Sequence, residues 1–233
     1  MQKDFFISVV VPVFNGEKYI ARCIRSLKFQ KILKKNYEII IVEDKSTDNT
    51  IKEILKHKSS NIKIIRNKKN LGLPASLNVG IRAAKGAYLV RVDSDDWVHA
   101  DFLDILSNFL YLNKKLDAVA CDYTFTDKHE INLQTENCEK KPIGCGIMFR
   151  MQHLLDINLY NENFEYTEEK ALRKEFLKKY SITRIPLSLY HYRLHEKNRT
   201  KREKKVRKYH YQVNENNKTK NKKKVRDLQK KFN

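Results

Sequence analysis

Apolar and polar residues alternate in blocks over the first hundred positions, and the blocks carry two different periods. Ile7 to Val13 is a nearly continuous apolar run rich in valine, the pattern of a strand buried on both faces. From Gly16 to Leu27 the apolar positions fall at Tyr19, Ile20, Cys23, Ile24 and Leu27, which is one face of a helix. Tyr37 to Val42 predicts a second strand, and a helix capped by Thr47 or Asp48 runs through His57. Ile62 to Ile65 follows as a third strand, then a helix opened by Pro74 and running to Lys85. Tyr88 to Val92 is the fourth strand, with a helix from His99 to Asn113 after it. Strands and helices in alternation predict an α/β fold with a mostly parallel central sheet flanked by helices.

The 233 residues, 41% hydrophobic and 33% charged, suffice for one sizeable core. The net charge of +20 is uneven, because residues 199–233 hold 15 Lys/Arg against 3 Asp/Glu. That segment has few large apolar residues and no sustained period, so it is expected to be a basic, flexible tail behind a catalytic domain spanning 1–198. It reads either as a solvated tail or as an arm for peripheral contact with an anionic membrane. No aromatic-interleaved platform accompanies the charge, so specific nucleic-acid binding is not expected. No run approaches the roughly 20 apolar residues of a membrane span, and the start of the chain lacks a signal-like apolar region. A cytoplasmic protein, peripheral at the inner membrane face if the tail binds lipid, is the expectation. Cys23, Cys121, Cys138 and Cys145 lack metal or disulfide spacing and are expected to be free thiols.

The chemistry concentrates in Asp93-Ser94-Asp95-Asp96, directly after the fourth strand. Carboxylates at i and i+2 on a strand end point to one side of the backbone, where they can share a divalent cation. With no nearby His or Cys pair, hard oxygen ligands favour Mg²⁺ or Mn²⁺. Asp96 then either caps the following helix or contacts an acceptor. Asn15-Gly16 and Glu43-Asp44 also fall at predicted strand ends, where ligands of open α/β sheets gather.

Four segments in this order resemble family 2 glycosyltransferases: Val11 to Gly16, Val42 to Thr50, Asn70 to Leu73 with Asn78, and Val92 to Trp97. The resemblance covers about residues 6–198. It implies the type A glycosyltransferase fold and inverting transfer of a sugar from a nucleotide-diphosphate donor, a UDP-sugar in the expected case, to an acceptor hydroxyl. The acceptor would be a glycan or lipid-linked intermediate of polysaccharide or glycolipid synthesis. It further implies a nucleotide-sugar-binding half, residues 1–97, and an acceptor half, residues 98–198. Pro12, Val13 and Asn15 would approach base and ribose, Glu43 and Asp44 would read the base, and Asn70 and Gly72 would approach the diphosphate. Asp93, Ser94 and Asp95 would meet ribose and metal, Asp95 being the principal cation ligand. Where the family usually has glycine, this chain has Lys45.

In the family the general base lies in an acidic pair heading a helix, behind a glycine-rich strand and a short aromatic loop. Gly144 to Arg150, Tyr160 to Phe164 and Glu168-Glu169 match that order, which makes Glu169 the candidate base where aspartate is usual. The plain alternative is that both glutamates oppose a helix dipole. Ile182 to Ile185 reads as a strand, and Tyr192 to Asn198 resembles the closing segment, where His195 would join the metal or the diphosphate and Arg193 a phosphate. Two rival readings stay open: a nucleotidyltransferase, disfavoured by the lack of a glycine-rich basic loop near Val11 to Gly16, and a catalytically degenerate glycosyltransferase-like binding protein. The segment Asp127 to Lys141, polar and aperiodic, is expected to be a mobile flap.

Overall fold

A computed structural model of the chain describes residues 6–164 and 167–195. The chain divides into two compact units, residues 1–194 and 195–233. The expected tail, 199–233, and residues 196–198 of the closing segment lie outside the described residues.

In the first unit four parallel strands stand in the order β3 (Ile62–Arg66), β2 (Tyr37–Glu43), β1 (Ile7–Val13), β4 (Tyr88–Arg91). All seven residues of β1 are buried, and its side chains divide between two cores by the twofold period of a strand. Ile7, Val9, Val11 and Val13 pack with α1 (Ile20–Lys28) and α4 (Phe102–Leu112). Val10 faces the other way, towards Leu77 and Ile81 of α3 (Leu73–Arg82). Helix α3 lies so close that a Cβ on Gly80 would stand 2.5 Å from Val10 Cγ1. Burying each such valine or isoleucine contributes roughly 1.5–3 kcal/mol, which makes this strand the anchor of the sheet.

The sheet is parallel through these four strands and mixed beyond them. Next to β4 runs β8 (Ile147–Arg150), antiparallel, followed by β6 (Ala118–Thr126) and β9 (Ile182–Arg193), with β5 (Trp97–Val98) on the far edge. Helices α2 (Thr50–Leu55), α5 (Met151–Asp156) and α6 (Glu168–Phe176) complete the flanking layers. Among the described residues, no helix is long and apolar enough to cross a membrane. The four cysteines are free and buried.

Two expectations are corrected. The last strand runs twelve residues, not four, because its register against β6 shifts between Cys121 and Tyr123. The shift leaves Pro186 and Leu187 out of the ladder, so a proline without a donor does not end the strand. The supposed flap holds β7 (Asn132–Glu136), hairpinned to β6. Its turn is closed by the Asp127 carboxylate, which accepts from His129 N at 2.8 Å and Ile131 N at 2.9 Å. Four of the five β7 residues are exposed, so an edge strand facing water carries no apolar alternation to betray it.

Candidate active site

Strand β4 stops short, and the site begins there. Its ladder with β1 ends at Val10 and Arg91, after which Val92 N reaches Val10 O at 3.1 Å. Backbone groups of alternate residues point the same way in a parallel strand, so Pro12 turns its donor-less nitrogen into the gap that β4 leaves. The chain then turns at Asn15, with φ +52°, and the first loop is stitched to the second. Asn15 N donates to Ser46 Oγ (3.0 Å), Thr47 N to Asn15 Oδ1 (2.8 Å) and Gly16 N to Thr50 Oγ1 (2.8 Å). Thr47 is therefore spent on Asn15, while Asp48 Oδ1 accepts from Thr50 N at the start of α2. The acidic run adjoins this loop: a Cβ on Gly16 would lie 3.5 Å from Ser94 Oγ.

At the end of β2 the two acids divide their work. Glu43 accepts from Ser46 N and pairs with Arg66 at 3.4 Å. Asp44 is buried, its Oδ1 accepting from Asn67 Nδ2 and Leu71 N, both at 2.8 Å, and its Oδ2 from Gly72 N at 2.9 Å. A carboxylate offers about four lone-pair positions, so one on Oδ2 remains for a ligand N–H. Asp44 thus ties the Asn70-Gly72 loop to β2, with Asn70 Oδ1 also accepting from Gly72 N (3.2 Å). Lys45 sits at φ +61°, the left-handed conformation that glycine favours. Asn78 joins the second half of the sheet's unit to the first, exchanging hydrogen bonds with Tyr160 O (2.8 Å) and Tyr160 N (3.0 Å).

The acidic run is organised by a residue that pattern reading passed over. Arg91 is buried, and its guanidinium grips Asp93 through Nε and Oδ1 (2.6 Å) and through a terminal nitrogen and Oδ2 (3.1 Å). Its other terminal nitrogen reaches Glu168 Oε1 at 3.1 Å. Burial works against the guanidinium charge, yet Asp93 and Glu168 hold its pKa well above the ordinary value. A charged residue inside an otherwise apolar strand was the available signal.

Asp96 neither caps α4 nor stands open to an acceptor. It is buried, with Oδ2 accepting from Tyr190 Oη (2.7 Å) and Oδ1 from Arg193 N (2.8 Å). Tyr190 Oη also accepts from Asp93 N at 3.1 Å. Arg193, expected to meet phosphate, is buried with its Nε on Asp95 O at 2.9 Å. Strand β9 runs on past Ile185 and brings both residues to the turn.

Glu168 and Glu169 begin α6 as expected, with different surroundings. Glu168 is buried against Arg91. Glu169 is partly exposed and lines a small pocket with Gly144, Ile147, Leu172 and Arg173. Gly144 leaves the room, since a Cβ there would lie 2.8 Å from Glu169 Cβ. Burial, and then the neighbouring Glu168, raise the Glu169 pKa above the usual glutamate value, as suits a group that must take up a proton. His195 is half-buried and begins the second unit, so its part in a metal site rests on the sequence resemblance alone.

Asp93, Asp96 and Cys145 each offer an atom within 4.8 Å of the others. This trio does not fit a divalent cation: burial raises the Cys145 thiol, keeping it protonated, and Asp96 is buried beneath Tyr190 and Arg193, away from any open side. Asp93 and Asp95 fit better. Both are partly exposed at the end of β4, and Asp93 keeps lone pairs beyond those given to Arg91. Hard carboxylate oxygens suit Mg²⁺ or Mn²⁺.

Residues 8–181 match the model of glycosyl transferase family 2. The poly(ribitol-phosphate) beta-glucosyltransferase of Bacillus spizizenii is 44% identical over 107 residues, 44% of this chain and 17% of that protein. The putative glycosyltransferase EpsH of Bacillus subtilis is 30% identical over 217 residues, 81% of this chain and 61% of that protein. The chain therefore spans less than two thirds of the length of these curated relatives. Among solved structures, Staphylococcus aureus TarS in complex with UDP-GlcNAc superposes with a TM-score of 0.72 at 22% identity, covering 83% of this chain and 60% of that one.

Proposed function

Because the chain belongs to glycosyl transferase family 2, we propose that it transfers one sugar from a nucleotide-diphosphate donor, a UDP-sugar, to a hydroxyl of a glycan or lipid-linked acceptor, with inversion at the anomeric carbon. Polysaccharide or glycolipid synthesis is the setting this reading favours. The observation that carries it is the adjacency of the β1, β2 and β4 ends at one edge of the sheet, with Asp44 at the end of β2 and Asp93, past β4, bound through Arg91 to Glu168 of the α6 acidic pair.

In this reading residues 1–97 hold the donor and 98–198 the acceptor. The Asn15 loop and Pro12-Val13 border base and ribose, and the remaining lone pair of Asp44 accepts the uracil N–H. Glu43 braces that loop through Ser46 N, and Asn70 with Gly72 turns the backbone towards the diphosphate. Asp93, Ser94 and Asp95 face the ribose and diphosphate. A divalent cation, Mn²⁺ or Mg²⁺, on Asp93 and Asp95 would act as a Lewis acid for the leaving diphosphate. Glu169 takes the proton of the acceptor hydroxyl as that oxygen attacks, and its raised pKa brings it nearer neutrality, where a general base works best. Arg91 fixes Asp93 and Glu168 at once, so the donor side and the base side share one rigid fork. The basic segment 199–233 is proposed as a peripheral contact with anionic lipid at the inner membrane face.

Incubating the purified full chain with a panel of nucleotide sugars and Mn²⁺, with and without chelator, tests this. Release of nucleoside diphosphate that stops on chelation and in Asp95→Ala is the expected result. Tight UDP binding with no turnover of any donor or acceptor would favour the degenerate binding protein.

A further inference from the structure

At the tip of the β6–β7 hairpin, Glu130 stands between two arginines. Its Oε2 accepts from Arg22 Nε of α1 at 2.9 Å, and its Oε1 accepts from a terminal nitrogen of Arg193 at 3.1 Å. The tip is closed by hydrogen bonds: the Asp127 carboxylate accepts from His129 N and Ile131 N, Glu130 N donates to Asp127 O at 3.1 Å, and Glu130 itself takes φ +67°. Arg193 is 3% exposed, its guanidinium lies 5.0 Å from the centre of the Tyr19 ring, and two of its hydrogen bonds go to the acidic run. Its Nε holds Asp95 O and its backbone N holds Asp96 Oδ1, while its guanidinium lies 4.5 Å from the centre of the Trp97 ring. Arg22 lies over the same ring at 5.0 Å.

A buried guanidinium needs a carboxylate to offset its desolvation, and the Asp95 contact is to a neutral carbonyl. Glu130 supplies that charge and aims the fork. We propose that Glu130 is a positioning residue for the cation-binding turn, acting through Arg193 to hold the backbone of Asp95 in the orientation that presents its carboxylate. The inference rests on the reading of Asp93 and Asp95 as metal ligands. It ties metal-assisted donor binding to a hairpin that reaches the cation-binding turn only through Arg193.

Trp97 is the only tryptophan, so its emission reports on this turn directly. The test is titration of the full chain with UDP, in Mn²⁺ and in chelator, for the wild type, Glu130→Ala, Glu130→Gln and Asp95→Asn, with Trp97 emission recorded for each. Partners that orient metal ligands typically contribute 10–100-fold in affinity, so Glu130→Ala should weaken UDP binding about that much in Mn²⁺ and little in chelator, with shifted Trp97 emission. Glu130→Gln keeps the size and one hydrogen bond, and should fall between; it also carries the test if the alanine variant fails to fold. Equal losses with and without metal, or unchanged Mn²⁺-dependent affinity in both Glu130 variants, overturn the proposal. If Asp95→Asn leaves the metal effect intact, the metal reading itself has failed, and this inference with it.

Discussion

Arg91 and Asp93 form a two-pronged ion pair at the last residue of β4, with contacts of 2.6 and 3.1 Å, and the arginine is 7% exposed against 25% for the aspartate. The inner partner is locked while the outer keeps an open side, an asymmetry that lets one carboxylate be both anchored and available. Arg91→Met strands Asp93 and Glu168 without a counter-charge, and breaking such a buried pair costs about 3–5 kcal/mol. Urea denaturation should show the loss. Arg91→Lys keeps the charge but not the fork, and should recover part of the stability and little Mn²⁺-dependent UDP affinity.

Asp44→Asn sets an amide against three donors. Leaving buried N–H groups unpaired costs roughly 1–3 kcal/mol, so the denaturation midpoint should fall with unchanged slope. UDP affinity should fall too, since the Asn70-Gly72 loop loses its tether.

Glu169→Gln is expected to keep UDP binding and lower sugar transfer by about 100-fold or more. The sign of the pH dependence follows from its raised pKa: the base works only when deprotonated, so the rate should climb as pH rises through a value above the usual glutamate range. A rate indifferent to the substitution would remove Glu169 from the mechanism.

Lys45 holds a left-handed backbone that costs a side-chain-bearing residue roughly 1–2 kcal/mol. Lys45→Gly relieves it, and after glycine's greater entropy loss a gain of up to about 1 kcal/mol should appear as a higher melting temperature.

The Arg184 hydrogen bonds, opposed by burial, lower the pKa of Asp122. A depressed carboxylate adds stability that is complete above its unfolded pKa, about 3.9, and disappears as pH falls through the lower folded value. Asp122→Asn should therefore flatten the acid limb of the stability curve below about pH 4, measured by denaturation at stepped pH.

Much of the first half was legible in the chain. Ile7–Val13 was read to the residue, and Tyr37, Ile62 and Tyr88 were read as strand starts, because strands buried on both faces need continuous apolar runs. The helices shortened at their ends, α1 starting at Ile20 instead of Gly16, since Gly16 and Glu17 are taken up by hydrogen bonds to the second loop. The β7 hairpin and the long β9 were not legible. One is an exposed edge without alternation, and the other bends across a bulge at Pro186 that reads locally as a stop.

By itself the sequence determined which strand ends carry polar chemistry, because periodicity and motif order are local properties of the chain. Only the tertiary structure decided what each acid does. Asp93, Asp95 and Asp96 are near neighbours in sequence, yet one is gripped by Arg91, one is held by its carbonyl, and one is buried on Tyr190 and Arg193. Arg91 is two residues from Asp93, but its other partner, Glu168, lies 77 residues from it, Tyr190 and Arg193 lie 94 to 98 residues from the aspartates they hold, and Glu130 stands 63 residues from Arg193. A carboxylate's role is set by the donors around it, and folding brings those donors from strands and hairpins whose local patterns carry no trace of the acids they meet.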